Sequence, residues 1–121
     1  MANVILDARL CIDSPGLKTQ AAGLSACARE PMINSTTAEQ DRMEKFFPLA
    51  KEHNAEIVCL TIDEKGIPNT VDGRSELAML LLATAMDSGI QPEKVFLDPV
   101  VLPISAAQNQ CPDVCRAITV F

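Results

Sequence analysis

Strand-length apolar runs and helix-length runs alternate along the whole chain, and this alternation is what most restricts the folds open to it. Val4 to Ile12 is an apolar run that stops at the turn cluster Asp13-Ser14-Pro15-Gly16. Leu17 to Ala28 is rich in alanine and reads as a helix. Pro31-Met32-Ile33 is a very short apolar run ended by Asn34-Ser35-Thr36-Thr37. A helix is expected from Thr37 to near Asn54. Glu39, Gln40 and Asp41 load its first turn, as the helix dipole favours, and Met43, Phe46, Phe47 and Ala50 form its apolar stripe. Glu56 to Ile62 is a strand rich in β-branched residues, followed by the Gly- and Pro-punctuated loop Asp63 to Pro68. Thr70 to Ser88 is the strongest helix, and Gly89 is placed to stop it in a left-handed conformation. Lys94 to Leu97 is a further strand, closed by Asp98-Pro99. A loop from Val100 to Gln110 then leads to a helix starting near Pro112.

Such alternation implies an α/β domain, residues 1–121, with a parallel sheet and helical crossovers. The strands are apolar at neighbouring positions, which predicts cover on both faces. Two architectures fit: an open doubly wound sheet, or part of a closed eight-stranded (β/α) barrel.

Charge and composition remove other classes. The net charge is −6 with no basic run, and the aromatics are Phe46, Phe47, Phe96 and Phe121. A nucleic-acid surface needs clustered Lys and Arg, so no nucleic-acid partner is expected. No apolar run reaches the roughly 18–20 residues of a membrane span, so no membrane partner is expected either. The five cysteines are an odd number, and Met1 to Asp7 lacks a secretory pattern. Together they predict free thiols and a cytoplasmic setting.

The polar residues that end the strands are the candidates for chemistry. Asp13 ends Leu-Cys-Ile-Asp, Asn34 ends Met-Ile-Asn and Asp98 ends Val-Phe-Leu-Asp. A fourth strand ends at Thr61-Ile62-Asp63, making Thr61 and Asp63 candidates for a pocket loop. Ligands of parallel β/α folds sit at the carboxyl ends of the strands. Two carboxylates and an amide suit a neutral heterocycle with amino and lactam groups, because carboxylates accept from ring N–H and NH₂ while an amide both donates and accepts. A phosphate ligand would want a Gly-rich loop and Lys or Arg, which are missing. Each of these residues also suits a turn or a helix cap.

Four segments in order, Leu10-Cys-Ile-Asp-Ser14, Met32-Ile-Asn-Ser-Thr36, Leu60-Thr-Ile-Asp-Glu-Lys-Gly-Ile-Pro68 and Phe96-Leu-Asp-Pro-Val-Val-Leu-Pro103, resemble consecutive motifs of the pterin-binding barrel family. The resemblance is strongest to the branch that moves the methyl of methyltetrahydrofolate to a corrinoid protein. That branch is related to the folate domain of cobalamin-dependent methionine synthase and to dihydropteroate synthase. The resemblance implies that Asp13, Asn34 and Asp98 hold the pterin ring. It also implies that methyltetrahydrofolate is the methyl donor and that cobalamin or another corrinoid resides on a partner protein. It further implies a partial barrel of about three and a half βα units, because a full barrel takes about 250 residues. The family's Asn near the reacting nitrogen lies on a strand outside this chain. A partial barrel would act as a homo-oligomer or with the missing segments. A dihydropteroate-synthase-like enzyme, a non-catalytic folate-binding half-barrel and an inactive remnant are the other readings.

The remaining polar residues are expected to be ordinary. Cys111 and Cys115 share a helical face but lack further ligands, so no metal site is expected. Cys11 and Cys59 are expected in the core, His53 at a helix end, and Arg74 in a surface ion pair with Glu64 or Asp72, with a place near the folate tail as its other reading.

Overall fold

A computed structural model of the chain describes residues 8–121, so the start of the first expected strand, residues 4–7, lies outside the described residues. Four strands, β1 (Cys11–Asp13), β2 (Met32–Thr37), β3 (Glu56–Leu60) and β4 (Val95–Asp98), pair in parallel in their chain order. Helices α1 (Leu17–Ser25), α2 (Gln40–Glu52) and α3 (Val71–Asp87) connect them, and α4 (Ile104–Ala107) and α5 (Cys111–Val120) follow β4. A doubly wound sheet reverses its strand order at a switch point. The described strands do not reverse, so right-handed crossovers all fall on one side. This α/β arrangement is consistent with part of a β/α barrel.

The burial pattern shows that one-sidedness directly. Ile33, Ile57 and Cys59 are fully buried, in one cluster with Leu24, Met43, Phe46, Phe47, Leu81 and Ala85 of the helices. The alternate positions point the other way: Cys11 and Phe96 are exposed, while Met32, Val58 and Leu60 are only partly buried. The expected cover on both faces is therefore present on one. Cys11 corrects its expected core position for the same reason. It pairs in register with Met32 on the open face, while its neighbour Ile12 pairs with the buried Ile33.

Element ends follow local chemistry. Thr70 is extended at the N-cap of α3, and its Oγ1 accepts from the Gly73 N–H at 3.1 Å. Gly89, with φ +81°, stops the chain after α3 as expected. Helix α2 runs through Pro48 despite the lost donor, because Met43, Phe46, Phe47, Leu49 and Ala50 bury one face. It starts at Gln40, not Thr37, because β2 is longer than expected. Thr36 and Thr37 pair with Cys59 and Leu60 of β3, so the anticipated turn at Asn34–Thr37 is strand. The short α4 falls inside the expected Val100–Gln110 loop. Among the described residues no helix is long and apolar enough to cross a membrane.

Candidate functional site

Strand register decides which strand-end residues meet. Asp13 pairs with Asn34, Asn34 with Val58, and Val58 with Phe96, giving one row across the sheet. Leu60 and Asp98 form a row closer to the carboxyl end. All these residues alternate with Ile12, Ile33, Ile57, Cys59 and Leu97, which belong to or pack against the core. Asp13, Asn34 and Asp98 therefore share the open face at one end of the sheet. With about 4.8 Å per strand and about 3.3 Å per residue for the two-residue offset between the rows, Asp98 stands roughly 12 Å from Asn34 across β3.

Around Asp13 and Asn34 the chain forms a cleft of about 340 Å³, whose walls include Ser14, Ser35, Thr37, Glu39 and Arg42. This is in the range of small-molecule sites. Ser35 is a bulge, since Asn34 pairs with Val58 and Thr36 with Cys59, and the Asn34–Ser35 peptide is cis. Among the described residues no hydrogen bond reaches the Asp13 carboxylate or the Asn34 side chain. Their backbones, by contrast, are held from below. The fully buried Gln20 donates through Nε2 to the carbonyls of Ile12 (2.9 Å), Ser14 (3.0 Å) and Asn34 (3.0 Å). Three acceptors fix the orientation of this amide, because the flipped form would set oxygen against oxygen. Arg42 donates to Ser35 O at 2.6 Å and to Pro15 O at 3.4 Å, with its guanidinium 4.4 Å from the centre of the Phe46 ring. Thr37 Oγ1 and Arg42 Nε are buried without a partner beside this cleft.

At β4 the turn itself is fixed. The Asp98 Oδ1 accepts from the Val100 N–H at 2.7 Å, and Val100 has φ +60°. For a β-branched residue that conformation costs about 1–3 kcal/mol and persists only where its surroundings impose it. Thr61 donates to the Asp98 carbonyl through N (3.0 Å) and Oγ1 (3.1 Å) and is fully buried. It ties β3 to β4 beneath Asp98 and does not open into the cleft. Arg74 corrects the expected surface ion pair: it is fully buried and donates from Nε to Pro99 O (2.9 Å) and from Nη2 to Gln110 Oε1 (3.0 Å). Its position one turn into α3, under the β4 turn, takes it away from both Glu64 and Asp72.

The loop after β3 closes on itself. Asp63 and Gly66 exchange backbone bonds at 3.2 and 2.9 Å, and Asp63 Oδ1 accepts from the Lys65 N–H at 2.8 Å. Glu64 reaches the first turn of α2, accepting from Gln40 N at 3.2 Å. Asp63 lines a separate cleft of about 220 Å³ with Pro68, Gly73 and Glu76. A cavity of about 110 Å³ at the opposite end of the sheet is already stitched, Lys51 Nζ to Gly89 O (2.7 Å) and Lys94 Nζ to Asn54 Oδ1 (2.7 Å).

Burial sets the thiols apart. Cys59 is pushed up to about 12 by burial. Cys11, on the open face, is raised by burial first and by the neighbouring Asp13 charge second. Cys115 is exposed and Cys111 partly buried on α5. Among the described residues no group of three His, Cys, Asp or Glu side chains could hold a metal ion.

Gln20, Thr37, Arg42 and the depth of Arg74 escape sequence reasoning. Nothing in their spacing announces them, because the carbonyls they serve arrive from other elements.

Known proteins resemble this chain in the same terms. It is 31% identical over 102 residues to a methylcorrinoid:tetrahydrofolate methyltransferase of Eubacterium limosum, covering 83% of this chain and 38% of that protein. It is 29% identical over 107 residues to a methionine synthase of Mycobacterium leprae, covering 84% of this chain and 9% of that protein. The methionine synthase of Mycobacterium tuberculosis is 28% identical over 107 residues, with the same coverage. The chain thus spans well under half the length of these relatives. The sequence pattern of the family described as pterin binding enzyme matches residues 1–121, and with its strand-end residues gathered on one face the chain belongs to that family.

Proposed function

We propose that this chain supplies the pterin-binding section of a β/α barrel that moves a methyl group between methyltetrahydrofolate and a corrinoid protein. The observation that carries the reading is the placement of Asp13, Asn34 and Asp98 on one face of the sheet, with the Asp13 carboxylate and the Asn34 amide free of hydrogen bonds among the described residues. Unpaired acceptors beside an amide match the N–H, NH₂ and lactam edge of a pterin, and charge-assisted bonds would make that match strong. The names of the relatives, a methylcorrinoid:tetrahydrofolate methyltransferase and methionine synthases, support a folate donor and a corrinoid acceptor.

In this reading Asp13, Asn34 and Asp98 fix the ring while the methyl–nitrogen bond breaks and its electron pair stays on nitrogen. That nitrogen must be protonated or hydrogen-bonded as the charge develops, so catalysis is positioning plus electrostatic stabilisation. The chain acts as one domain, and its open sheet face is covered by further β/α units, from a second copy or from the missing segments of the barrel. The test is methyl transfer from methyltetrahydrofolate to a cobalt(I) corrinoid protein, followed by the visible spectrum. Transfer that Asp98→Asn slows supports the reading. Folate binding without transfer by the chain, alone and with added corrinoid protein, supports the second reading, a non-catalytic half-barrel, which the uncovered face of Cys11, Val58 and Phe96 favours.

A further inference from the structure

Arg74 is the one charged side chain among the described residues that is completely buried. Its hydrogen bonds go to neutral oxygens alone, Pro99 O and Gln110 Oε1, and Nη1 has no partner. A buried charge without a carboxylate is costly, and its hydrogen bonds to two neutral oxygens offset that cost only in part. Stability alone therefore gives no reason for an arginine here. What the guanidinium holds is the turn at the end of β4. The Pro99 carbonyl lies between Asp98, whose Oδ1 receives the Val100 N–H at 2.7 Å, and Val100, whose φ of +60° a β-branched residue resists. On the far side, Gln110 donates in turn to Asn69 Oδ1 at 3.1 Å, so the arginine is itself braced by the segment leading into α3.

We infer that Arg74 is a positioning residue for Asp98. By gripping Pro99 O with a charge-assisted bond it keeps the Asp98–Val100 turn closed. One carboxylate oxygen is then occupied by the Val100 N–H, and the other is presented at the open face, where no hydrogen bond from the described residues reaches it. This rests on the reading of Asp98 as a pterin ligand.

The test uses the full chain with Arg74→Met, Arg74→Lys and the double variant Arg74→Met/Val100→Gly. It reads amide hydrogen exchange at Val100 without ligand, affinity for methyltetrahydrofolate, and thermal unfolding. Arg74→Met is expected to lower the unfolding midpoint by no more than a few degrees, the scale of leaving two acceptors unpaired, while Val100 exchanges about tenfold faster, since the turn opens locally. It is also expected to weaken folate binding by about tenfold or more, the scale of one lost charged hydrogen bond. Val100→Gly should restore most of the binding, because glycine adopts that φ without a clamp. Should Arg74→Met not fold, Arg74→Lys keeps the charge without the Nε–H and gives the same two readings. Unchanged Val100 exchange overturns the proposal. So does an affinity loss that tracks the loss of stability and is not restored by Val100→Gly. If the unmodified chain does not bind the folate, the pterin reading of Asp98 falls, while the exchange measurement still decides whether Arg74 holds the turn.

Discussion

Gln20 shows how a buried polar residue can brace a candidate site from behind, through the backbone alone. Its amide sits under three carbonyls that belong to, or flank, Asp13 and Asn34. Gln20→Glu would set a carboxylate against those oxygens. It should destabilise the chain by about 2–4 kcal/mol at pH 7, with much of the loss recovered near pH 5 as the acid protonates and donates. The sign follows from a folded-state pKa raised above its unfolded value, so the stability is present at low pH and lost as pH rises. Thermal unfolding at the two pH values checks it. Cys59 makes a second titration visible. Its thiol ionises near 9.0 ordinarily and is pushed up to about 12 in the fold. The stability linked to it is full below pH 9 and falls between pH 9 and 12, by about 1.4 kcal/mol per pH unit. Denaturant titrations should show that slope in the parent chain and not in Cys59→Val. Asp13 and Asp98 were legible as strand ends because a polar residue ending an apolar run beside a turn marks a strand's carboxyl end, whereas Asn34 lies inside β2, which continues to Thr37. Gln20 and Arg74 were not legible, since a buried donor is recognisable only once its acceptors have been folded around it.

Helix α3 was readable to within one residue at each end, with Gly89 as its expected stop, and the structure makes Thr70 its N-cap. Both signals are local: a hydroxyl that accepts from Gly73 N–H, and a left-handed φ. Thr70→Ala should cost about 1 kcal/mol in chemical denaturation. Gly89→Ala should cost a comparable 1–2 kcal/mol, because a Cβ is strained at φ +81° and would lie 3.2 Å from Lys51 Nζ. Strand β2 was misjudged for the opposite reason. Asn34-Ser35-Thr36-Thr37 has turn chemistry, but pairing with β3 and burial of Thr36 override it. The bulge at Ser35 is the concession that lets the strand continue and keeps Asn34 and Thr37 on the open face.

At the scale of the whole molecule, the sequential strand order places the crossovers between the described strands on one side, and no described residue covers the face with Asp13, Asn34 and Asp98. The parallel sheet was evident from the alternation of runs. The bare face was not, because Val58, Leu60 and Phe96 are as apolar as residues that pack against helices. Such a face, flanked by edge strands that are unpaired among the described residues, favours association. Sedimentation of the chain is expected to show a defined oligomer that Phe96→Lys weakens; a monomer at all concentrations would argue against closure by a second copy. The central claim is that this face binds the pterin of a reduced folate, and calorimetric titration of the chain with methyltetrahydrofolate, beside Asp98→Asn, tests it most directly. The account predicts saturable binding that the substitution weakens by about tenfold or more, as expected for a lost charge-assisted bond. A folded, monodisperse chain that releases no heat and binds no folate by equilibrium dialysis, or one that binds equally well with Asp98→Asn, would contradict it.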